Sequence, residues 1–334
     1  MGTLVPLIRS EIREAIVKLA TYRVGVEGSE RVGVVVGDRI YDAMACMREK
    51  RAQVGSGRGD PVSWSDLVGL LGAGPEAMAE VEATIEWAEG QPGVEGVVHK
   101  LADVALGPPL PCPGKLFCLA GNYADHILEG GGSYPGKEAM IPRFFLKPCT
   151  AVVGPGDPIR IPPSSAWTDW EVELAVVIGR RGRDLTPDIA GEHIAGYTIL
   201  NDVSARELAL RSDKPQREGD AFFDWLVGKW LDTFAPMGPW VTTADEIDDP
   251  NRLNIKLWVN DELHQDGVTG QMIFKPEEAI AFISQFVTLE PGDLIATGTP
   301  GGVGHSKGIG LKPGDRVRCE IDGLGVLENP VEAI

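Results

Sequence analysis

Residues Asp169 to Gly179, reading Asp-Trp-Glu-Val-Glu-Leu-Ala-Val-Val-Ile-Gly, constrain the fold more than any other stretch of the chain. The run Leu174 to Ile178 is apolar and strand-sized, with two carboxylates at its mouth. In a strand, side chains alternate faces, so Glu171 and Glu173 project to one side while Val172 and Leu174 face the other. Two anions held that close repel, and a hard divalent cation with oxygen ligands relieves the repulsion. A lone E-x-E also suits a solvated strand edge. A third carboxylate, Asp202, just past the apolar run Ile194 to Leu200, shifts the balance. Three acids at strand ends, with waters in the remaining positions, describe an octahedral Mg²⁺ or Mn²⁺ site.

The formal charge of −18 argues against nucleic acid as a partner, since no Lys/Arg cluster is present to track phosphates. An anionic substrate must therefore be met by local positive groups, which a metal would supply. The 334 residues suit one large domain and a smaller one, at roughly 100 to 200 residues per domain. The 42 glycines and 25 prolines fit a β-rich fold with many tight turns. Five cysteines, without C-x-x-C spacing, indicate neither a disulfide framework nor structural zinc. Reduced, mostly buried thiols in a cytoplasmic protein are expected. The longest apolar runs are strand-sized, so neither a signal peptide nor a membrane span is expected.

Ile8, Ile12, Ala15, Ile16 and Leu19 recur at helical spacing behind Ser10 and Glu11, which predicts an opening amphipathic helix. Alternating runs at Tyr22–Val26, Val32–Val36 and Arg39–Tyr41 read as a meander of short strands. The polar stretch Ala52–Pro61 reads as a loop and Glu76–Glu89 as a helix. The proline-rich joint Gly107–Gly114 divides the chain into a smaller N-terminal α+β domain, residues 1–110, and a larger one, residues 111–334. Three Pro-Gly-Asp sequences, at 155–157, 291–293 and 313–315, have type II turn chemistry, with positive φ required at the glycine. Each leads into a short apolar alternation. The fold class is α+β, mainly β, with a few helices such as Pro276–Phe286.

His126 and Glu129 lie three apart in Gly121-Asn122-Tyr123-Ala124-Asp125-His126-Ile127-Leu128-Glu129, so on a helical turn the carboxylate orients the imidazole as a general base. The Gly130-Gly131-Gly132-Ser133 segment that follows suits a closing flap or a plain loop. Lys229, among apolar and aromatic neighbours, is a candidate to stabilise an oxyanion, and the N–H groups and hydroxyls of Ala296–Gly304 to hold a substrate carboxylate. Trp225 and Trp230 are candidates for the apolar wall of a substrate site. The remaining histidines, His99, His193, His264 and His305, suggest no metal role.

These motifs occur in a telling order: Gly-Asn-Tyr-Ala-Asp-His-x-x-Glu, Phe-x-Lys-Pro at 145–148, Trp-Glu-Val-Glu-Leu-Ala-Val-Val-Ile-Gly, Asn-Asp-Val-Ser-Ala-Arg at 201–206, Lys-x-x-Asp-Thr-Phe-Ala-Pro-x-Gly-Pro at 229–239, and Thr-Gly-Thr-Pro-x-Gly-Val-Gly. The set resembles the fumarylacetoacetate hydrolase family from about Gly114 onward. The resemblance implies a β-roll catalytic domain of mixed sheets, a homodimer, and Mg²⁺ or Mn²⁺ held by Glu171, Glu173 and Asp202. It implies His126 and Glu129 as the water-activating dyad, Lys229 as the stabiliser of negative charge, and Tyr123, Arg206 and Thr299 as substrate contacts. Two departures bear on substrate identity: Ala209 stands where many members have a substrate-binding Gln, and Gly121 where many have Arg or Leu. An insertion, Asp213 to Asp224, precedes Lys229.

The activity this implies is hydrolysis of a carbon–carbon bond in an acylpyruvate-like 1,3-dicarbonyl 2-oxo acid, as in aromatic catabolism. Decarboxylation of a 2-oxo diacid, or isomerisation of a 2-hydroxydienedioate, uses the same metal–enolate chemistry. A non-catalytic carboxylate-binding protein on this scaffold would show a lost ligand or dyad residue, and none is lost.

Overall fold

The computed structural model describes residues 17–25, 28–55, 64–91, 96–209 and 215–334. The helix expected around Ile8 to Ile16 and the loop positions from 56 onward lie outside them. Leu19, expected in that helix, is instead in a strand, Lys18–Arg23. Backbone pairing on both sides, to Arg31–Val36 and to Ala235–Thr243, overrides its local helical spacing. Ala52 to Val54, expected in a loop, close a helix spanning Ala43–Val54. Asp42 starts that helix by accepting the Ala45 N–H at 2.8 Å. The helix Pro75–Glu89 matches expectation, with Pro at its first turn.

A mixed sheet runs edge to edge through Val98–Lys100, Arg39–Asp42, Arg31–Val36, Lys18–Arg23, Ala235–Thr243, Ile194–Asn201, Val172–Ile178, Leu294–Ala296, Leu116–Leu119 and Phe144–Lys147. Most pairs are antiparallel, whereas Leu294–Ala296 runs parallel to Leu116–Leu119. A second sheet of five strands packs against it, in the order Glu262–Val268, Asn254–Val259, Arg316–Ile321, Gly325–Ala333, Ile159–Ile161. The result is the α+β, mainly β architecture expected, with mixed sheets.

Alternation along Val172–Ile178 separates two cores. Val172, Leu174, Val176 and Ile178 pack with Ile255, Leu257, Val317 and Ile321 of the second sheet. Ala175 and Val177 face the opposite way, into a second core that also takes in Cys46, Met47, Leu70, Val81 and Ile85 of the N-terminal helices. Glu173 continues that second face by the period of two. All seven residues of the strand are buried, which explains its continuous apolar run.

The Pro-Gly-Asp turns form as expected, with φ of 80° at Gly156, 83° at Gly292 and 96° at Gly314. Each Asp also accepts the backbone N–H three residues before it, from Gly154, Glu290 and Lys312, at 2.7–2.8 Å. One local device is thus used three times to reverse the chain at sheet ends. Among the described residues, no helix is long and apolar enough to cross a membrane.

Candidate active site

Val172 pairs with Asn201 across antiparallel strands, so Glu171 and Asp202 leave the sheet at the same end. The junction is tight: the Asp202 N–H donates to the Glu171 carbonyl at 2.8 Å, and Asn201 Oδ1 accepts the Glu171 N–H at 3.0 Å. Carboxylate oxygens of Glu171, Glu173 and Asp202 lie within 4.8 Å of one another, and all three residues are buried. The spacing of residues 171 and 173 and the register of the neighbouring strand are enough to assemble this trio.

Three cations surround it. Lys229 Nζ donates to Glu171 Oε2 at 2.7 Å and to Asp202 Oδ2 at 2.6 Å. Lys147 Nζ donates to Asp202 Oδ1 at 2.5 Å and to the Val203 carbonyl at 3.0 Å. Arg206 reaches Glu171 Oε1 through Nη2 and Asp169 Oδ2 through Nε. Lys229 gets this close because Gly228 lacks a side chain: a Cβ there would lie 2.1 Å from the Ala205 carbonyl oxygen. Burial opposes ionisation of Glu171, but Lys229 and Arg206 outweigh it and hold its pKa well below the usual carboxylate range. Burial likewise opposes the charge on Lys229, and Asp202 and Glu171 reverse that, pushing it up.

Glu173 is different. Its Oε2 accepts only the Gly298 N–H, at 2.7 Å, and no cationic side chain among the described residues bonds to it. Burial, then the charges of Asp202 and Glu171, push its pKa well above the ordinary value. The cluster sets three cationic side chains against four carboxylates, Asp169 included, and the uncompensated one is Glu173. An all-oxygen, buried, under-neutralised donor set fits a hard dication such as Mg²⁺ or Mn²⁺.

The dyad stands on the short helix Ala124–Glu129, where His126 Nδ1 lies 3.0 Å from Glu129 Oε1. Glu129 also accepts from the Gly302 N–H at 2.7 Å and Ser306 Oγ at 3.0 Å. Burial raises its pKa, and these donors with His126 lower it further, so it stays a carboxylate. A carboxylate against Nδ1 places the ring proton there and leaves Nε2 as the free base.

The glycine-rich loop differs from expectation. Its N–H groups are committed to the protein's own carboxylates: Gly298 to Glu173, Gly301 to Asp125, Gly302 to Glu129, and Gly304 and His305 to Asp169. It is a brace that ties the dyad to the carboxylate cluster. Thr299 Oγ1 donates to the Val172 carbonyl at 2.8 Å and accepts from Gln265 Nε2 at 2.7 Å, so its one proton is already used.

A cavity of about 120 Å³ joins both parts, lined by His126, Glu171, Glu173, Arg206, Lys229 and Thr299, with Phe145 and Trp225 as its apolar wall. Tyr123 is fully buried, does not line this cavity, and its hydroxyl has no partner among the described residues. Trp225, from the helix Asp220–Val227 at the end of the insertion, meets Phe145 edge-on at 5.1 Å. Trp230 instead lines an adjoining, larger groove. Sequence reasoning assigned no role to Lys147, Asp169 or Gln265. Lys147 stood in plain view as the one charged residue of Phe144-Phe145-Leu146-Lys147, and Asp169 as the acid preceding Trp170.

Residues 115–332 match the sequence profile described as Fumarylacetoacetate (FAA) hydrolase C-terminal. The chain is 46% identical over 232 residues to a mitochondrial oxaloacetate tautomerase of Xenopus laevis, covering 69% of each chain. It is 44% identical over 252 residues to a human mitochondrial oxaloacetate tautomerase, covering 75% of this chain and 76% of the other. Among solved structures, maleylpyruvate hydrolase from Sphingobium sp. SYK-6, in complex with manganese(II) ion and pyruvate, superposes with a TM-score of 0.68 at 33% identity. That superposition covers 95% of this chain and 99% of the hydrolase. The buried trio of acids, its ring of cations and the His–Glu dyad therefore stand on a known scaffold, and the chain belongs to the fumarylacetoacetate hydrolase family.

Proposed function

We propose that this enzyme transfers a proton at the carbon beside the 2-oxo group of a short dicarboxylic 2-oxo acid, the keto–enol tautomerisation of an oxaloacetate-like substrate. The observation that carries this reading is the cavity: one free imidazole nitrogen shares about 120 Å³ with a cation-ringed carboxylate trio, room for a compact diacid. The relatives named oxaloacetate tautomerase, at 44–46% identity, support it.

Glu171, Glu173 and Asp202 would hold the divalent ion, Mg²⁺ or Mn²⁺. When bound, the ion supplies Lewis-acid polarisation and positive charge. Its addition turns a cluster with one negative charge in excess into a net positive one, which answers how a chain of charge −18 receives an anion. His126 Nε2 accepts a proton from one position of the substrate and returns it to the other, while Glu129 steadies the imidazolium. Arg206 and Lys229 place positive charge in the cavity wall and hold Glu171 ionised. Phe145 and Trp225 limit water and substrate length.

Carbon–carbon bond hydrolysis of an acylpyruvate-like acid is the second reading. The intact dyad favours it, because the same Nε2 could take a proton from water, and so does the likeness to a maleylpyruvate hydrolase. Assays with Mn²⁺ on enol oxaloacetate, maleylpyruvate and a 2-hydroxydienedioate, run side by side, test both. Tautomerisation predicts faster decay of the enol absorbance with no pyruvate formed. Release of two acids from maleylpyruvate at a higher kcat/KM would replace it with hydrolysis, and pyruvate with CO₂ from oxaloacetate would replace it with decarboxylation.

A further inference from the structure

Cys46, Cys118 and Cys319 are buried, whereas Cys112 and Cys149 are exposed. These two lie far apart in sequence but at the same end of one hairpin. Leu116–Leu119 pairs with Phe144–Lys147, with Leu116 opposite Lys147; Cys112 precedes the first strand and Cys149 follows the second. Both line the rim of the large apolar groove, about 1370 Å³, beside the active-site cavity. The two thiols are neighbours along this lining, near enough to influence each other. Contact with the Cys149 sulfur, more than burial, pushes the Cys112 thiol up. With Cys112 held toward its protonated form, Cys149 is the sulfur left to attack an electrophile first, and exchange of the two roles gives the same bridge.

We propose that Cys112 and Cys149 form a surface dithiol that a peroxide oxidises reversibly to a disulfide. The Cys149 thiolate attacks one peroxide oxygen; the O–O bond breaks, the departing hydroxide takes a proton to become water, and Cys149 is left as a sulfenic acid. The Cys112 sulfur then attacks the Cys149 sulfur. The S–O bond breaks as the S–S bond forms, and the hydroxyl leaves with the Cys112 proton as a second water. Two thiols are oxidised and one peroxide is reduced to two waters. The bridge closes the 112–149 segment, which carries His126, Glu129 and Lys147, and so fastens the proline-rich joint to the strand that positions Lys147.

Thiol titration of the native, reduced protein tests this. Two fast-reacting thiols are expected; after one equivalent of hydrogen peroxide the number falls to zero, the chain stays unlinked to other chains on a non-reducing gel, and a 112–149 cross-linked peptide is found. A dithiol reductant restores both thiols. Separately, the wild type takes up one trivalent arsenical bridging the pair, and neither Cys112→Ser nor Cys149→Ser does. The double Ser variant keeps basal activity and no longer responds to peroxide. Two thiols persisting after peroxide, linkage between chains, over-oxidation of Cys149 alone, or arsenical uptake by the single variants would overturn the proposal.

Discussion

The carboxylate cluster stands on two paired strands and is wholly buried, whereas the His126–Glu129 pair stands on a six-residue helix with both side chains 19% exposed. The first is held by charge: each of Glu171 and Asp202 binds two cationic side chains. The second is held by neutral donors from the 302–306 segment. The difference separates two tasks. Buried ions in a low-dielectric wall keep a fixed charge pattern and tolerate the loss of no partner. A group that moves protons needs a neutral ring, a free nitrogen and access to the cavity.

The largest break in that contrast is Glu173→Gln. Activity that depends on Mn²⁺ should vanish, together with the rise in melting temperature on adding Mn²⁺. The metal-free variant should melt higher than metal-free wild type, because a buried carboxylate without a cation is gone. His126→Ala comes next: kcat should fall by ~10²- to 10⁴-fold while the Mn²⁺-induced melting shift stays intact. A lost shift would mean the two regions are one.

Glu129→Gln is milder. Losing a hydrogen bond to a charged group costs about 1.5–3 kcal/mol, or roughly 10- to 100-fold in rate. It also carries a pH signature. The folded pKa of Glu129 lies below its ordinary 4.5, so its contribution to stability is complete above pH 4.5 and is lost as pH falls through the lower, folded value. Melting curves of wild type and variant should therefore differ by a constant amount at neutral pH and converge in acid. The smallest effect is expected from Thr299→Val. With its proton given to Val172, Thr299 acts as a structural link to Gln265, so the variant should lose about 1–3 kcal/mol of stability with kcat little changed. A raised KM with unchanged stability would instead make it a substrate contact.

How far the site could be read from sequence follows the same division. Glu171 and Glu173 are set by a period of two, Asp202 by one strand pairing, and His126 with Glu129 by one helical turn; such local geometry is written in spacing. Lys147 escaped because its partner Asp202 is brought close only by the assembled sheet, five strands being interposed along the chain between them. The loop 296–304 reads in sequence as a carboxylate cradle or a plain turn, because spacing cannot show that its N–H groups meet carboxylates from two distant segments. Ala52 to Val54 read as the start of a polar loop, but they are the last turn of the helix Ala43–Val54, which the Asp42 cap and the packing of Cys46 and Met47 fix.

The most direct test of the central claim is Mn²⁺ binding and turnover of chelator-stripped protein, measured on wild type and Glu173→Gln in parallel. The account predicts one ion per wild-type chain, none in the variant, and activity that returns with the ion. Full turnover by metal-free wild type, or equal Mn²⁺ binding by the variant, would contradict it.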